Sequence, residues 1–169
     1  MEHRWIAKAS FVSLNLRDNL TVPQADIFYR ISPEDSVLTL EKMLELFADA
    51  KSSIYFAQFT ITHPDIAQVL IKKAKEGIDV KGIMEYEQIG SYSKYPWFEL
   101  MNMDVKKDKN YCFVFHHKFF IIDEEIVING SLNPTISGFK RNRENVLIIH
   151  SPSVAGIYLK YLNNITRYW

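Results

Sequence analysis

The sequence contains only one cysteine, Cys112, and only six glycines and six prolines among its 169 residues. A single thiol excludes a disulfide within the chain and a zinc site built on several cysteines, and we expect Cys112 to be a small buried residue. The low glycine and proline content excludes collagen-like and low-complexity chains. No apolar run approaches the roughly 20 residues of a membrane-spanning helix, and charges at Glu2 and Arg4 do not fit a signal peptide. We therefore expect a cytoplasmic protein.

The sequence also lacks an excess of charge of either sign. The 20 Lys and Arg residues balance 20 Asp and Glu residues, so the formal net charge is zero. The chain therefore has no overall positive field that could attract nucleic acid or anionic lipid, and any such attraction must come from local clusters of charge. The 47% apolar and 24% charged content excludes a disordered chain. A chain of 169 residues fits one domain whose core folds without a structural metal.

Strand and helix patterns alternate from residue 26 onward. Helix-start signals, in which a capping residue precedes proline, occur at Ser32-Pro33, His63-Pro64 and Ser151-Pro152. The predicted strands are Asp26–Ile31, Ser53–Phe59, Val80–Met84, Phe113–Ile122, Ile126–Ile128 and Glu144–Ile149. A short helix is predicted over Tyr95–Met101, followed by a connection that begins at Val105.

These elements predict an α/β fold with a mixed, mostly parallel sheet flanked by helices. Helices between the first strands indicate parallel βαβ units, whereas the turn Asp123-Glu124-Glu125 indicates a hairpin. We assign residues 23–169 to one domain. Residues 1–22 are predicted to form an N-terminal arm or an edge strand.

The stretch from residue 116 to residue 133 carries the candidate chemistry. Because side chains alternate between the faces of a strand, His116 and Lys118 should point the same way, while His117 points toward an apolar face. The same two-residue spacing relates Ser131 to Asn133 and Asn142 to Glu144. An imidazole, an ammonium, a hydroxyl, an amide and a carboxylate can thus line one patch suited to phosphodiester chemistry.

The spacing resembles that of the phospholipase D superfamily: His-x-Lys, four residues, Asp, six residues, then Gly-Ser-x-Asn. Every position is matched, by His116, Lys118, Asp123, Gly130, Ser131 and Asn133, and the downstream Asn-x-Glu is matched by Asn142 and Glu144. Only one copy of the motif is present, as in the small bacterial nucleases and the mitochondrial cardiolipin hydrolase group of that superfamily.

The resemblance implies a reaction that needs two histidines. One attacks phosphorus to form a phosphohistidine, and the other protonates the leaving oxygen. A chain with one motif can supply both only by pairing across a two-fold axis, so we expect a homodimer with one site built from His116, Lys118 and Asn133 of each subunit. No metal and no cofactor is expected, since Glu85-x-Glu87 and the acidic hairpin share no spacing that would join them into a metal site.

The remaining motif positions receive separate expectations. Asp123 lies seven residues from His116 and so faces away from the patch, which predicts that it fixes the hairpin. Gly130 is assigned to the same structural part of the motif. Glu144 is the candidate to hold the His116 ring in one tautomer. Ser131 contacts phosphate or caps the next segment, and Asn142 is a candidate for binding substrate.

Basic and aromatic residues flank the motif. The basic groups are Lys106, Lys107 and Lys109 before it and Lys140, Arg141 and Arg143 after it, and we expect Lys140 and Arg143 to bind a polyanionic substrate. The aromatic residues Tyr92, Tyr95, Trp97 and Phe98 form a stacking surface for unpaired bases, part of the core or part of a dimer interface. The function expected first is a metal-independent endonuclease acting on DNA or RNA. The alternatives are a phospholipid or cardiolipin phosphodiesterase and an inactive nucleic-acid-binding protein.

Overall fold

The computed structural model of the chain describes residues 26–31, by their backbone, and residues 36–109 and 112–166. The expected arm at residues 1–22, the domain boundary before residue 23 and the helix start at Ser32 lie outside these ranges. The predicted arm and boundary therefore stay predictions.

A seven-stranded sheet forms the centre of the described chain, in the order β1-β7-β6-β5-β2-β3-β4. The strands are β1 (Asp26–Ile31), β2 (Ser53–Gln58), β3 (Asp79–Glu85), β4 (Asp104–Asp108), β5 (Lys118–Ile122), β6 (Ile126–Gly130) and β7 (Asn145–His150). The helices are α1 (Ser36–Asp49), α2 (Pro64–Lys75), α3 (Tyr95–Leu100), α4 (Ile136–Lys140) and α5 (Pro152–Thr166). The predicted α/β fold with a mixed sheet flanked by helices is confirmed.

The expectation that this sheet is mostly parallel is wrong. Only the β2–β3 and β3–β4 pairings are parallel among the described strands, and the other four are antiparallel. The reason is local: parallel neighbours need a helical crossover, which α2 and α3 provide, whereas a three-residue turn joins β5 to β6 and forces them to run in opposite directions.

Strand β4 replaces the connection expected after Val105. Its sequence, Asp104–Asp108, consists of charges around one apolar residue and gives no strand pattern. An edge strand tolerates such charges because one side of it faces solvent, where they also discourage pairing with other chains.

Two apolar layers cover the faces of the sheet. Phe47, Phe56, Phe98 and Phe120 are completely or almost completely buried on the face covered by α1–α4. On the other face, Phe119 and Ile121 of β5 pack with Ala155 and Leu162 of α5. Every residue of β5 is buried, as expected of a central strand covered on both faces.

The strand directions bring several chain segments to one edge of the sheet. The ends of β2, β3, β4 and β6 lie there, together with the beginnings of β5 and β7. Lys118 begins β5 and Gly130 ends β6, so the two halves of the motif meet at this edge, which we call the catalytic edge after the chemistry expected of the motif. Within the described ranges, no helix is long and apolar enough to cross a membrane.

Candidate active site

His116 and Lys118 lie on the same side of the chain, against the ring of Phe59. The His116 ring stands edge-on to Phe59 with centroids 4.8 Å apart, and the Lys118 Nζ is 5.1 Å from the Phe59 centroid. Lys118 Nζ also donates a hydrogen bond of 2.9 Å to the His116 carbonyl oxygen. The strand is shorter than predicted, since β5 begins only at Lys118, but the extended chain before it keeps the expected alternation.

The two side chains differ in their surroundings. His116 is exposed, whereas Lys118 is only 9% exposed. Burial lowers the pKa of Lys118 from its ordinary value, and the nearby Glu144 carboxylate partly opposes that shift. A partly desolvated ammonium beside an accessible imidazole suits the binding of an anion.

His117 lies on the opposite face. Its ring packs edge-on against Phe115, Phe119 and Tyr161, and its Nε2 shares a hydrogen bond of 2.7 Å with the Tyr161 hydroxyl. This placement agrees with the packed position that strand alternation predicts for His117.

Gly130 allows the Gly-Ser-x-Asn segment to approach the backbone of β7. A Cβ atom at Gly130 would lie 2.1 Å from the Asn145 carbonyl oxygen, so no other residue fits there without a shift of the backbone. That carbonyl accepts a hydrogen bond from the Ser131 N–H at 3.1 Å, and the Asn145 N–H donates to Ser131 Oγ at 3.1 Å.

Glu144 forms a small network with Ser131 and Asn142. One carboxylate oxygen accepts a hydrogen bond from the Ser131 hydroxyl, and the other accepts one of 2.9 Å from Asn142 Nδ2. Glu144 is also close enough to Lys118 to influence its pKa. These contacts bring Ser131, Asn142, Glu144 and Lys118 into one region, and the orientation of the His116 ring by Glu144 stays a prediction.

Asn133 enters the same region through a turn that is tied to the start of α2. Its carbonyl accepts from Thr135 N at 2.7 Å, and the next carbonyl, of Pro134, accepts from the N–H groups of Thr62 and His63 at 3.0 Å each. Its side-chain Oδ1 is buried and has no hydrogen-bond partner within the described chain. A buried acceptor atom without a partner is a candidate to bind a group that does not belong to the described chain.

Asp123 lies at the far end of β5, five residues and therefore about 16 Å from Lys118. Its carboxylate accepts hydrogen bonds from the N–H groups of Lys51, Ser52 and Ser53 and from the Ser52 hydroxyl. Burial alone would raise the pKa of Asp123, but these hydrogen bonds together lower it. The contacts support the structural part proposed for this motif residue.

The basic groups divide into exposed and paired residues. Lys107 Nζ lies over the Tyr95 ring and 3.7 Å from Glu99 Oε1. Lys106, in the outermost strand β4, and Lys109, just after it, are exposed. Lys140, Arg141 and Arg143 are exposed in the segment that leads from α4 to Asn142 and Glu144. This second group therefore flanks the candidate site.

The sequence analysis gave no role at the site to two side chains that the fold places there. Phe59 follows β2 and has no motif of its own; only the pairing of Gln58 with Lys118 across the sheet brings it to His116. Glu85, the last residue of β3, binds the backbone just before His116. The expectation that Cys112 is buried is wrong: it is exposed, because it precedes β5 in a segment outside the sheet. Among the described residues, no three His, Cys, Asp or Glu side chains form a group that could hold a metal.

Comparison with known proteins identifies the family. A family model described as the phospholipase D-like domain of cardiolipin synthase matches residues 43–166, which include all the motif positions. The chain belongs to the phospholipase D superfamily. Its phospholipase D-like domain is 28% identical over 128 residues to a mitochondrial cardiolipin hydrolase of Chlamydomonas reinhardtii, covering 75% of this chain and 57% of that protein. The chain thus spans little more than half of the length of this relative.

Two solved structures share the phospholipase D-like fold. NucT from Helicobacter pylori matches with a TM-score of 0.77 and 23% identity, over 85% of this chain and 96% of that one. A phospholipase D family member, Nuc from Salmonella typhimurium, matches with a TM-score of 0.76 and 27% identity, over 85% and 95% of the two chains. These matches agree in fold with the family model, which confirms the family predicted from the motif spacing.

Proposed function

We propose that this chain is a metal-independent phosphodiesterase, and specifically an endonuclease that cleaves DNA or RNA through a phosphohistidine in a site shared by two copies. The observation that carries this proposal is the joint placement of the His116 imidazole and the Lys118 ammonium against Phe59, at the edge that also holds Asn133. One subunit offers half of the groups that the superfamily reaction uses.

The positions of the other histidines support a site made from two copies. His63 is only 6% exposed and packs edge-on to Phe139, so it cannot meet a substrate. His117 faces α5, and His150 ends β7 at the edge opposite the motif. Among the histidines that the structure describes, His116 alone is an accessible imidazole at the catalytic edge. A second copy of His116 is therefore the proposed partner.

In the proposed reaction, one His116 forms a nitrogen–phosphorus bond while the bond from phosphorus to the leaving oxygen breaks. The second His116, initially protonated, gives its proton to that oxygen. A water molecule then loses a proton to this second imidazole and attacks phosphorus, and the nitrogen–phosphorus bond breaks. Lys118 and Asn133 stabilise the negative charge on the other phosphate oxygens.

Nucleic acid is the substrate that the surface charges favour. Exposed Lys140, Arg141 and Arg143 flank the site of a chain whose net charge is zero, and such a local cluster suits a polyanion. Lys140 and Arg143 are the proposed substrate-binding residues, together with Ser131 and Asn142. A lipid phosphodiester is the second candidate, because a relative is named a cardiolipin hydrolase.

The deciding experiment incubates the protein with labelled DNA, labelled RNA and cardiolipin vesicles, in each case with excess EDTA. We expect cleavage of oligonucleotides by the wild type, loss of cleavage in His116→Ala, and little effect of the control His150→Gln at the opposite edge. Hydrolysis of the vesicles alone would assign a lipid substrate. Binding without turnover would indicate an inactive binding protein, and activity that needs Mg²⁺ would contradict the metal-independent mechanism.

The shared site has its own test. Sedimentation analysis of the active protein should give the mass of a dimer, and an active monomer would contradict the proposal.

A further inference from the structure

A half-buried lysine and an exposed tryptophan are in contact beside the catalytic edge. Of the four aromatic residues that the sequence groups together, Tyr95 and Phe98 are buried in the core, while Tyr92 and Trp97 are 54% and 38% exposed. Lys94 Nζ lies 4.0 Å from the centre of the Trp97 ring system. The surface therefore offers a flat aromatic side chain and a positive charge in direct contact.

The backbone ties this pair to the candidate site. Lys94 N donates a hydrogen bond of 2.8 Å to the carbonyl oxygen of Ile61. Ile61 follows Phe59 by two residues, which span at most about 7 Å, and Phe59 contacts both His116 and Lys118. A nucleic-acid strand bound at His116 therefore needs only a few nucleotides to reach Trp97.

The direction of α3 separates this pair from the apolar surface nearby. Because β3 ends at the catalytic edge and β4 begins at the opposite edge, α3 starts with Lys94 at its N-cap near the site and leads away from it. The exposed Leu100 and Met101 lie at its far end. The groups of α3 nearest to the site are thus aromatic and cationic, which fits a base and its phosphate better than a lipid tail.

We propose that Lys94 and Trp97 form a subsite for single-stranded nucleic acid, in which Trp97 stacks on an unpaired base and Lys94 contacts a neighbouring phosphate. This inference rests on the proposed nuclease function and extends it to a preference for single strands. In a duplex the faces of the bases are already stacked on one another, so the aromatic contact is lost while the phosphate contact remains.

Binding can be tested separately from catalysis. In the His116→Ala background, we expect Trp97→Leu to weaken the binding of a fluorescent single-stranded oligonucleotide about tenfold, since stacking on one base contributes roughly that much. Trp97→Phe keeps an aromatic ring and should restore most of the affinity. Lys94→Gln should make binding less sensitive to salt, because one phosphate contact is gone.

Catalysis by the otherwise wild-type enzyme gives the matched control. Bis(p-nitrophenyl) phosphate contains the scissile diester but no chain that could extend from His116 to Trp97, so Trp97→Leu should leave its hydrolysis unchanged while raising KM for the single-stranded oligonucleotide. Equal affinity of Trp97→Leu and the parent protein for single strands would overturn the subsite. The subsite would also be overturned if Trp97→Leu lost as much activity on the small diester, or as much affinity for duplex, as it loses on single strands. A loss confined to lipid vesicles would overturn it as well. If the wild type cleaves no oligonucleotide, the nuclease proposal fails, and the binding measurement still decides the subsite.

Discussion

The Glu85 carboxylate accepts a hydrogen bond of 2.5 Å from the backbone N–H of Phe115, the residue directly before His116. Glu85 ends β3 and is only 6% exposed, and its other oxygen accepts from Glu87 N at 3.1 Å. Residues 113–117 belong to no strand. The carboxylate therefore fastens the segment that carries the candidate nucleophile to the end of the sheet.

We expect Glu85→Ala to lower kcat on bis(p-nitrophenyl) phosphate by about 10- to 100-fold with little change in KM. The reason is that a small displacement of a reacting group is costly to the rate, while the phosphate contacts proposed for Lys118 remain. Glu85→Gln should recover part of the loss, because its amide oxygen can still accept from one of the two N–H groups.

Exposed Glu87, whose backbone N–H also reaches Glu85, provides the control. Glu87→Ala leaves both hydrogen bonds to the Glu85 carboxylate in place and should keep wild-type kcat. A Glu85→Ala protein that unfolds more easily but has normal kcat when folded would show that the contact serves stability alone.

The sequence predicted the elements whose signals are local. The proline of α2 and the apolar runs of β2 and β3 place those elements within one or two residues of their observed bounds. Strand β4 was missed because an edge strand needs no apolar face. The shared placement of His116 and Lys118 followed from alternation, which extended chain keeps even outside a regular strand.

Contacts between distant segments could not be predicted in the same way. Glu85 and Phe115 are 30 residues apart, and Phe59 reaches His116 only through the pairing of β2 with β5. Such contacts depend on the order of strands in the sheet, and of its antiparallel pairings the sequence indicated only the hairpin of β5 and β6. The spacing of the motif identified the candidate site residues. The side chains that hold them in place, Glu85 and Phe59, could be recognised only from the fold.

Gly130 is predicted to tolerate no side chain. Gly130→Ala places a methyl group 2.1 Å from the Asn145 carbonyl oxygen unless β6 and β7 separate. We expect a loss of about 2 kcal/mol or more in the free energy of unfolding, with reduced activity because Ser131 and Asn133 follow directly. Urea unfolding monitored by circular dichroism measures the first effect, and hydrolysis of a small diester measures the second.

The control for this variant is Gly156→Ala. Gly156 is an exposed residue within α5, and a Cβ atom there meets nothing within 4 Å. Alanine should stabilise the helix by roughly 0.5–1 kcal/mol without changing activity. Similar unfolding curves for the two variants would contradict the packing described for Gly130.

Asp123 is predicted to support stability rather than chemistry. Asp123→Ala leaves the N–H groups of Lys51, Ser52 and Ser53 without their acceptor, so we expect a loss of about 2–3 kcal/mol. Activity per folded molecule should change little, because the carboxylate is at the far end of β5. A variant of normal stability without activity would contradict this interpretation and return Asp123 to the active site.

The Asp123 carboxylate also predicts that the stability of the fold depends on pH in the acidic range. The folded protein holds the pKa of Asp123 below its ordinary value, so the stability that it contributes is complete above the unfolded pKa of about 3.9 and is lost as pH falls through the lower folded pKa. Asp123→Asn has no such group. The difference between the unfolding midpoints of this variant and the wild type should therefore shrink below pH 4.

His117 predicts a second pH dependence, in a higher range. Its pKa is lowered first by burial and then by the charges of Lys118 and His116. Between the folded pKa and about 6.5, the unfolded chain binds a proton that the folded chain does not. Stability is therefore greatest above pH 6.5 and falls as pH decreases through the folded pKa, by at most about 1.4 kcal/mol per pH unit for one proton.

We expect His117→Phe to reduce the slope of stability against pH between pH 7 and pH 5, measured from urea midpoints at half-unit steps. Some slope should remain, because burial also lowers the pKa of His63. Tyr161→Phe is the matched control: it removes the hydroxyl that bonds to Nε2 but keeps the imidazole and its proton. It should lower stability by a similar amount at both ends of the range and keep the wild-type slope. If His117→Phe shows the same slope as the wild type, then His117 takes up its proton equally well in the folded and unfolded chains, and its burial against Phe115 and Phe119 does not govern its charge.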